Sequence, residues 1–113
     1  MAAKARGQFG ENEAARWYVR RGYDVVARNW RCAAGEVDLI LRRCDLVVFC
    51  EVKARASNEI GGPEGAVNWE KQRRLRRLAT LWLAEARPAG ALDVRFDVAA
   101  VVGARVAVIE AAF

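Results

Sequence analysis

The sequence predicts an α/β (α+β) fold, a central mixed five-stranded sheet flanked by helices in the order α-β-β-β-α-β-β. Three observations carry this. Residues 10–21 and 66–86 place apolar side chains at helical spacing. Five short runs rich in β-branched residues fill the rest of the order, each bounded by turn residues. The chain has 113 residues, 54% of them hydrophobic, which is enough apolar mass for one core, so residues 1–113 read as a single domain.

The elements follow in order. "GENEAARWYVRR" (10–21) is the first helix, and Gly22 is placed to end it. "YDVVARNW" (23–30) is the first strand. Residues 36–43 and 46–54 form a hairpin with its turn at Cys44 and Asp45. "SNEIGGPEG" (57–65) is a loop rich in chain breakers, whose glycines would let it close over a substrate. Residues 66–86 form the longest helix, with Pro88 and Gly90 beyond its end. "VRFDVAAVV" (94–102) and "RVAVIEA" (105–111) are the last strands, joined at Gly103 and Ala104.

Composition excludes several chemistries. Histidine is absent, which removes Ser-His and Cys-His catalysis and most zinc hydrolase chemistry. Cys32, Cys44 and Cys50 are odd in number and lack CxxC spacing, so they read as reduced thiols of a cytoplasmic protein. "MAAKARG" has no apolar core of a signal peptide, and no apolar run reaches membrane-spanning length. No membrane contact is expected. A net charge of +5 mildly favours polyanionic partners.

The hairpin holds the most informative pattern. A turn centred between Cys44 and Asp45 sets Asp38 opposite Glu51 and Glu36 opposite Lys53. Strand alternation then gives one apolar face, Val37, Leu39 and Leu41 against Val52, Cys50 and Val48. The other face carries Glu36, Asp38 and Ile40 against Lys53, Glu51 and Phe49. Three carboxylates and one ammonium thus meet at one end, and one lysine does not neutralise three acids. Two readings stand: a solvated ladder pairing Glu36 with Lys53, or a site for a hard divalent cation. Mg²⁺ takes a few carboxylates and completes its shell with water and substrate phosphate. Lys53 would then orient the attacking water or stabilise charge in the transition state.

Each helix adds a charge on its inward stripe. Glu11 shares a stripe with Ala14, Ala15 and Tyr18, and Lys71 shares one with Leu75, Leu78 and Trp82. Either both join the charged hairpin end, which gives them partners, or the helix starts project into water. Lys71, Arg73, Arg74, Arg76 and Arg77 make the start of the long helix strongly basic, as a phosphate-binding surface or a solvated face. Arg55, just past Lys53, is a further candidate nucleic-acid contact. Core packing or an oligomer interface is the expected role of most of Trp17, Trp30, Trp69 and Trp82.

Together these pieces resemble the PD-(D/E)xK nuclease superfamily. Within it the chain looks like the bacterial YraN-like family, relatives of Holliday-junction resolvases. The resemblance rests on "GENEAARWYVRRGYDVVARNWRCAAGEVDLI", "LVVFCEVKAR", "GPEGAVNWEKQRRLRRLATLWL" and "RFDVAAV". It implies a restriction-endonuclease-like fold and a Mg²⁺-dependent phosphodiesterase site, with Mn²⁺ a possible substitute. It places Asp38 and Glu51 as metal ligands, Lys53 as the catalytic lysine, and Glu11 as an extra metal or water ligand. Glu36 falls in the family's Gly-Glu-x-Asp segment. The superfamily's proline before the aspartate is replaced by Val37.

The expected function is a structure-selective endonuclease acting on branched or junction DNA, recognised by backbone shape and charge. Symmetric cleavage of a junction would need a homodimer, since one site cuts one strand. The alternatives are a non-catalytic nucleic-acid-binding adaptor in recombination or processing, and an assembly protein whose basic helix meets an acidic partner.

Overall fold

The computed structural model describes residues 2–55, 68–91 and 93–113, with side chains from residue 7 onward. Helix α1 spans Ala2–Arg20, and strands β1, β2 and β3 span Asp24–Cys32, Gly35–Arg43 and Leu46–Arg55. Helix α2 spans Trp69–Ala86, followed by β4 at Asp93–Val102 and β5 at Arg105–Ile109. The order is the one the sequence predicts. The loop expected over 57–65, and the expected helical residues 66 and 67, lie outside the described residues.

The five strands form one mixed sheet in the order β1-β2-β3-β4-β5. Only β3 and β4 run parallel; the other neighbours are antiparallel. A helix lies on each face. α1 packs Ala14, Ala15 and Tyr18 on Leu39, Leu41, Val48, Cys50, Ala99 and Val101. α2 packs Leu75, Leu78, Ala79 and Trp82 on Ile40, Val47, Phe49, Phe96 and Val98. This explains the unbroken apolar run of β3. Its residues alternate between two cores, Val47 and Phe49 toward α2 and Val48 and Cys50 toward α1.

Helix α1 begins earlier than the expected residue 10, extending back to Ala2 through an alanine-rich stretch. It ends as expected at Gly22, whose φ of 88° suits glycine, with the Tyr23 amide donating to the Tyr18 carbonyl at 3.1 Å. α2 is capped by Asn68, whose side-chain oxygen accepts from the Lys71 amide at 2.9 Å. The three cysteines are free thiols. Among the described residues no helix is long and apolar enough to cross a membrane.

The hairpin register holds from Arg43↔Leu46 to Leu39↔Cys50 and then stops. Several expectations fail beyond that point. Asp38 and Glu51 are not a ladder pair, and Val37 does not share a face with Leu39 and Leu41. Val37 instead packs in the α2 core with Leu75 and Leu78, whereas Leu39 and Leu41 lie under α1. The alternation therefore slips by one residue across Asp38. β1 slips beside it: Ala27 and Trp30 both join the α2 core, and between them Asn29 adopts a positive φ of 51°. The two strands stay paired on either side, Arg28↔Leu39 and Trp30↔Val37. Asn tolerates this left-handed conformation better than most residues.

Candidate functional site

The slip releases the Asp38 side chain from the pleat. Its Oδ2 accepts a hydrogen bond from the Val52 backbone amide at 2.8 Å. Asp38 thereby occupies the place where strand pairing ends, at the C-terminal end of β3. That end of the parallel pair β3–β4 is where α/β sheets commonly hold ligands.

Glu51 and Lys53 follow on the α2 face of β3. Glu51 Oε2 stands 3.6 Å from Lys53 Nζ and 3.7 Å from Lys71 Nζ. Lys71 reaches in from the first turn of α2, as its place on the inward stripe implies. The site holds two ammoniums, one more than the hairpin alone supplies. Glu11 comes from α1 on the opposite face and accepts from Asn29 Nδ2 at 3.0 Å. Gly10, beside it, is buried against β3; a Cβ there would lie 2.8 Å from the Ala54 Cβ. That absence of a side chain is what brings Glu11 down to the sheet end.

Glu36 departs from the expected ladder. It pairs with Arg31 of β1 across 3.5 Å, not with Lys53, because the hairpin ladder has ended and β1–β2 pairing continues through Arg31↔Glu36.

Electrostatics mark the site. Burial, the charge of Glu51, and the charges of Glu11 and Glu36 push the Asp38 carboxyl up to about 7, against the lowering effect of the Val52 amide. Lys53 is held below the usual lysine range, first by burial and then by neighbouring Lys71, while Glu51 opposes the shift. Glu51 acts on both groups, raising the carboxyl and opposing the fall of the amine; shifts of this kind mark functional sites and structural ion-pair networks alike.

The cation implied by the family resemblance meets this donor set as follows. Asp38 and Glu51 offer hard oxygen ligands, and Mg²⁺ ordinarily takes one or two carboxylates with water and phosphate. Among the described residues no group of three acidic side chains converges on one point. The pair Asp38–Glu51 is thus the set that fits, with Glu11 and Glu36 contributing charge from further out.

The expected nucleic-acid residues divide into groups. Arg73, Arg74 and Arg77 line a groove of about 570 Å³ with Glu70, Ala33 and Ala34. Arg76 faces elsewhere, its guanidinium 5.0 Å from the centre of the Phe96 ring and 5.3 Å from that of Phe113. Arg55 is half-buried at the end of β3, paired with Val102. Of the tryptophans, Trp82 is buried in the α2 core, Trp30 and Trp17 pack against the two cores, and Trp69 is 69% exposed.

Sequence reasoning missed the polar anchor beneath α1. Asp97 is fully buried on β4. It accepts from Tyr18 Oη at 2.6 Å, from Arg95 Nε and Nη2 at 2.8 and 2.9 Å, and from the Ala111 amide at 3.1 Å. Burial and this carboxylate raise the Tyr18 hydroxyl far above its ordinary range. The available signal was a lone acid inside the apolar run "FDVAAVV", with an arginine two residues earlier on the same face.

The fold and site define a three-layered α/β domain with helices on both sheet faces and an acid–lysine cluster at the end of its parallel strands. The chain belongs to the family described as "Uncharacterised protein family UPF0102", whose model matches residues 10–101. It is 51% identical over 106 residues to a UPF0102 protein of Beutenbergia cavernae, covering 93% of this chain and 89% of that one. A Parafrankia relative is 47% identical over 95 residues, covering 84% and 80%. An Agrobacterium fabrum relative is 43% identical over 103 residues, covering 91% and 83%. The matched stretch includes every residue of the acid–lysine cluster.

Proposed function

We propose that the protein is a divalent-metal-dependent endonuclease that hydrolyses phosphodiester bonds of DNA, with Mg²⁺ the natural ion and Mn²⁺ a substitute. One observation carries the reading. Asp38 is held by the Val52 amide and feels the charge of Glu51, and Glu51 in turn is ion-paired with both Lys53 and Lys71.

Asp38 and Glu51 would hold the ion, and Glu11 would sit at its edge. When bound, the ion supplies Lewis acidity toward phosphate and water. The chain's own residues do the rest. Asp38 is fixed by the Val52 amide, so its carboxylate needs no reorganisation on binding. Lys53 places an ammonium beside the reacting phosphate and offsets charge that builds on its oxygens and on the leaving alkoxide. Its lowered pKa puts it nearer to proton exchange at neutral pH than an ordinary lysine. Lys71 holds Glu51 before substrate arrives and is positioned to turn to a phosphate afterwards. Arg73, Arg74 and Arg77 provide the sequence-independent grip on the backbone.

The test is cleavage of a labelled four-way junction, a flap and a linear duplex by purified protein with Mg²⁺ or Mn²⁺. Metal-dependent cutting, lost in both Asp38→Asn and Lys53→Ala, is the expected outcome. Salt-sensitive binding with no cutting would replace this reading by that of a nucleic-acid-binding adaptor. Neither binding nor cutting would remove both.

A further inference from the structure

We propose that a second groove, on the α1 face, binds the phosphate backbone of a second arm of branched DNA. This deepens the nuclease reading and rests on it. The groove has a volume of about 310 Å³ and is lined by Asn12, Ala15, Arg16, Val19, Arg20 and Arg28. Three of the six are arginines and none is acidic. The nearby Glu13 is tied to Arg16 by an ion pair.

The groove starts at Asn12, the residue after Glu11 on α1. Arg28 Nη2 donates to Asn12 Oδ1 at 2.6 Å and closes its near end. Asn12 adjoins Glu11, and Arg28 adjoins Asn29, the residue that donates to Glu11. From there the stripe Asn12, Ala15, Arg16, Val19 and Arg20 follows one face of α1 at helical spacing. It is about 12 Å long, the rise of roughly three nucleotides of one strand.

The two basic grooves lie on opposite faces of the sheet, and each has a lining residue next in sequence to a charged residue of the cluster, Asn12 beside Glu11 and Glu70 beside Lys71. Each groove then runs away from the cluster. The C-terminal end of α1 reaches the hairpin-turn end, where Arg43 donates to the Arg21 carbonyl at 3.1 Å. The chain just after α2 reaches the same end, where Arg42 donates to the Ala89 carbonyl. A linear duplex that follows one groove leaves the other, on the far face of the sheet, unused. Strands that follow both grooves diverge at the cluster, as strands do at a branch point. The charge is that of a nucleic-acid footprint, and the divided path selects a forked substrate.

The experiment measures equilibrium binding of the full chain, in EDTA to prevent cleavage, to an immobile four-way junction and to a linear duplex of equal length. Both are titrated against salt. The variant Arg16→Ala/Arg20→Ala/Arg28→Ala is compared with Arg73→Ala/Arg77→Ala and wild type. The α1 variant is expected to weaken junction binding about tenfold or more. It should also lower the slope of log affinity against log salt by about two to three, while changing duplex binding less than about threefold. The α2 variant is expected to weaken both. Unchanged junction binding in the α1 variant, or equal loss on junction and duplex, overturns the proposal and leaves the nuclease reading standing. Wild type that binds neither DNA overturns both. If removing the Arg28–Asn12 contact unfolds the chain, Arg16→Gln/Arg20→Gln carries the same comparison.

Discussion

The Asp38 carboxylate closes the β2–β3 ladder by accepting the Val52 amide at 2.8 Å, one residue past the last backbone pair, Leu39↔Cys50. One side chain thus has two duties: it satisfies a strand amide and presents charge to the site. The duties separate by substitution. Asp38→Asn keeps an oxygen for the Val52 amide and should stay folded, with cleavage reduced by about 10³-fold or more through loss of the ligand. Asp38→Ala removes the acceptor as well and should cost a further 1–3 kcal/mol, roughly, if the amide finds no partner. Thermal melts and cleavage rates of the two variants, side by side, check this.

The same carboxylate sets a pH dependence in the absence of metal. Its folded pKa is raised, from about 3.8 to about 7, so the folded state holds the proton more tightly than the unfolded chain. Stability from this group is therefore complete below pH 4 and is lost as pH rises through 7. In EDTA the wild type should lose on the order of 4 kcal/mol between pH 4 and 8 from Asp38, and Asp38→Asn should not. Mg²⁺ should restore stability at pH 8 in wild type only. Melting at pH 5 and pH 8, with and without Mg²⁺, reads both effects.

Lys71 depresses Lys53 and shares Glu51 with it. Lys71→Ala should therefore raise the Lys53 pKa and move the alkaline limb of the cleavage profile to higher pH. It should also lower kcat/KM by roughly ten- to a hundredfold through the lost phosphate contact. Lys71→Arg should recover most of the binding without the original profile, since guanidinium geometry differs from that of an ammonium. A pH–rate profile of each variant distinguishes a partner of Lys53 from a general helix-start charge.

The parts legible in the sequence are those governed by local periodicity. Helical spacing placed Glu11 and Lys71 inward correctly, and the two-residue turn fixed the pairing of Leu39 with Cys50. The end of the ladder was not legible. Alternation presumes an unbroken pleat, whereas β1 and β2 slip together at Asn29 and Asp38. That slip depends on two strands at once, so neither strand's own pattern discloses it. It sends Val37 to the α2 core and leaves Glu36 to Arg31. Asp97 was hidden for a related reason: its partners come from α1, β4 and the residues after β5, positions far apart in the chain.

Asp97 anchors α1 to β4 through Tyr18, so its loss should act on the whole domain. Asp97→Asn preserves volume but leaves Arg95, among the described residues, with only Glu110, at 3.7 Å, as a carboxylate partner. The expected cost is on the order of 3 kcal/mol, as for other broken buried ion pairs. Tyr18→Phe, which removes only one of four hydrogen bonds to Asp97, should cost about 1–2 kcal/mol. Denaturant unfolding of both variants measures the difference. An equal loss in the two would assign the anchor to Tyr18 alone.

Gly10 tests whether the closeness of α1 to β3 matters to the site. Gly10→Ala puts a Cβ 2.8 Å from the Ala54 Cβ, a separation two packed methyl groups do not tolerate. The helix must lift, since Ala54 belongs to a central strand paired on its other side with Val101. Overpacking of this kind should cost about 1–3 kcal/mol. The lift also draws Glu11 away from Asn29 and from Asp38, so cleavage should fall by more than the loss of folded protein explains. The second substitution Ala54→Gly removes the opposing methyl group. Gly10→Ala/Ala54→Gly should therefore regain most of the activity, at a residual stability cost of up to about 1 kcal/mol for glycine in a strand. Rescue of cleavage by the double variant would tie activity to the height of α1 above the sheet. Failure of rescue, with stability restored, would show that Glu11 acts independently of that spacing.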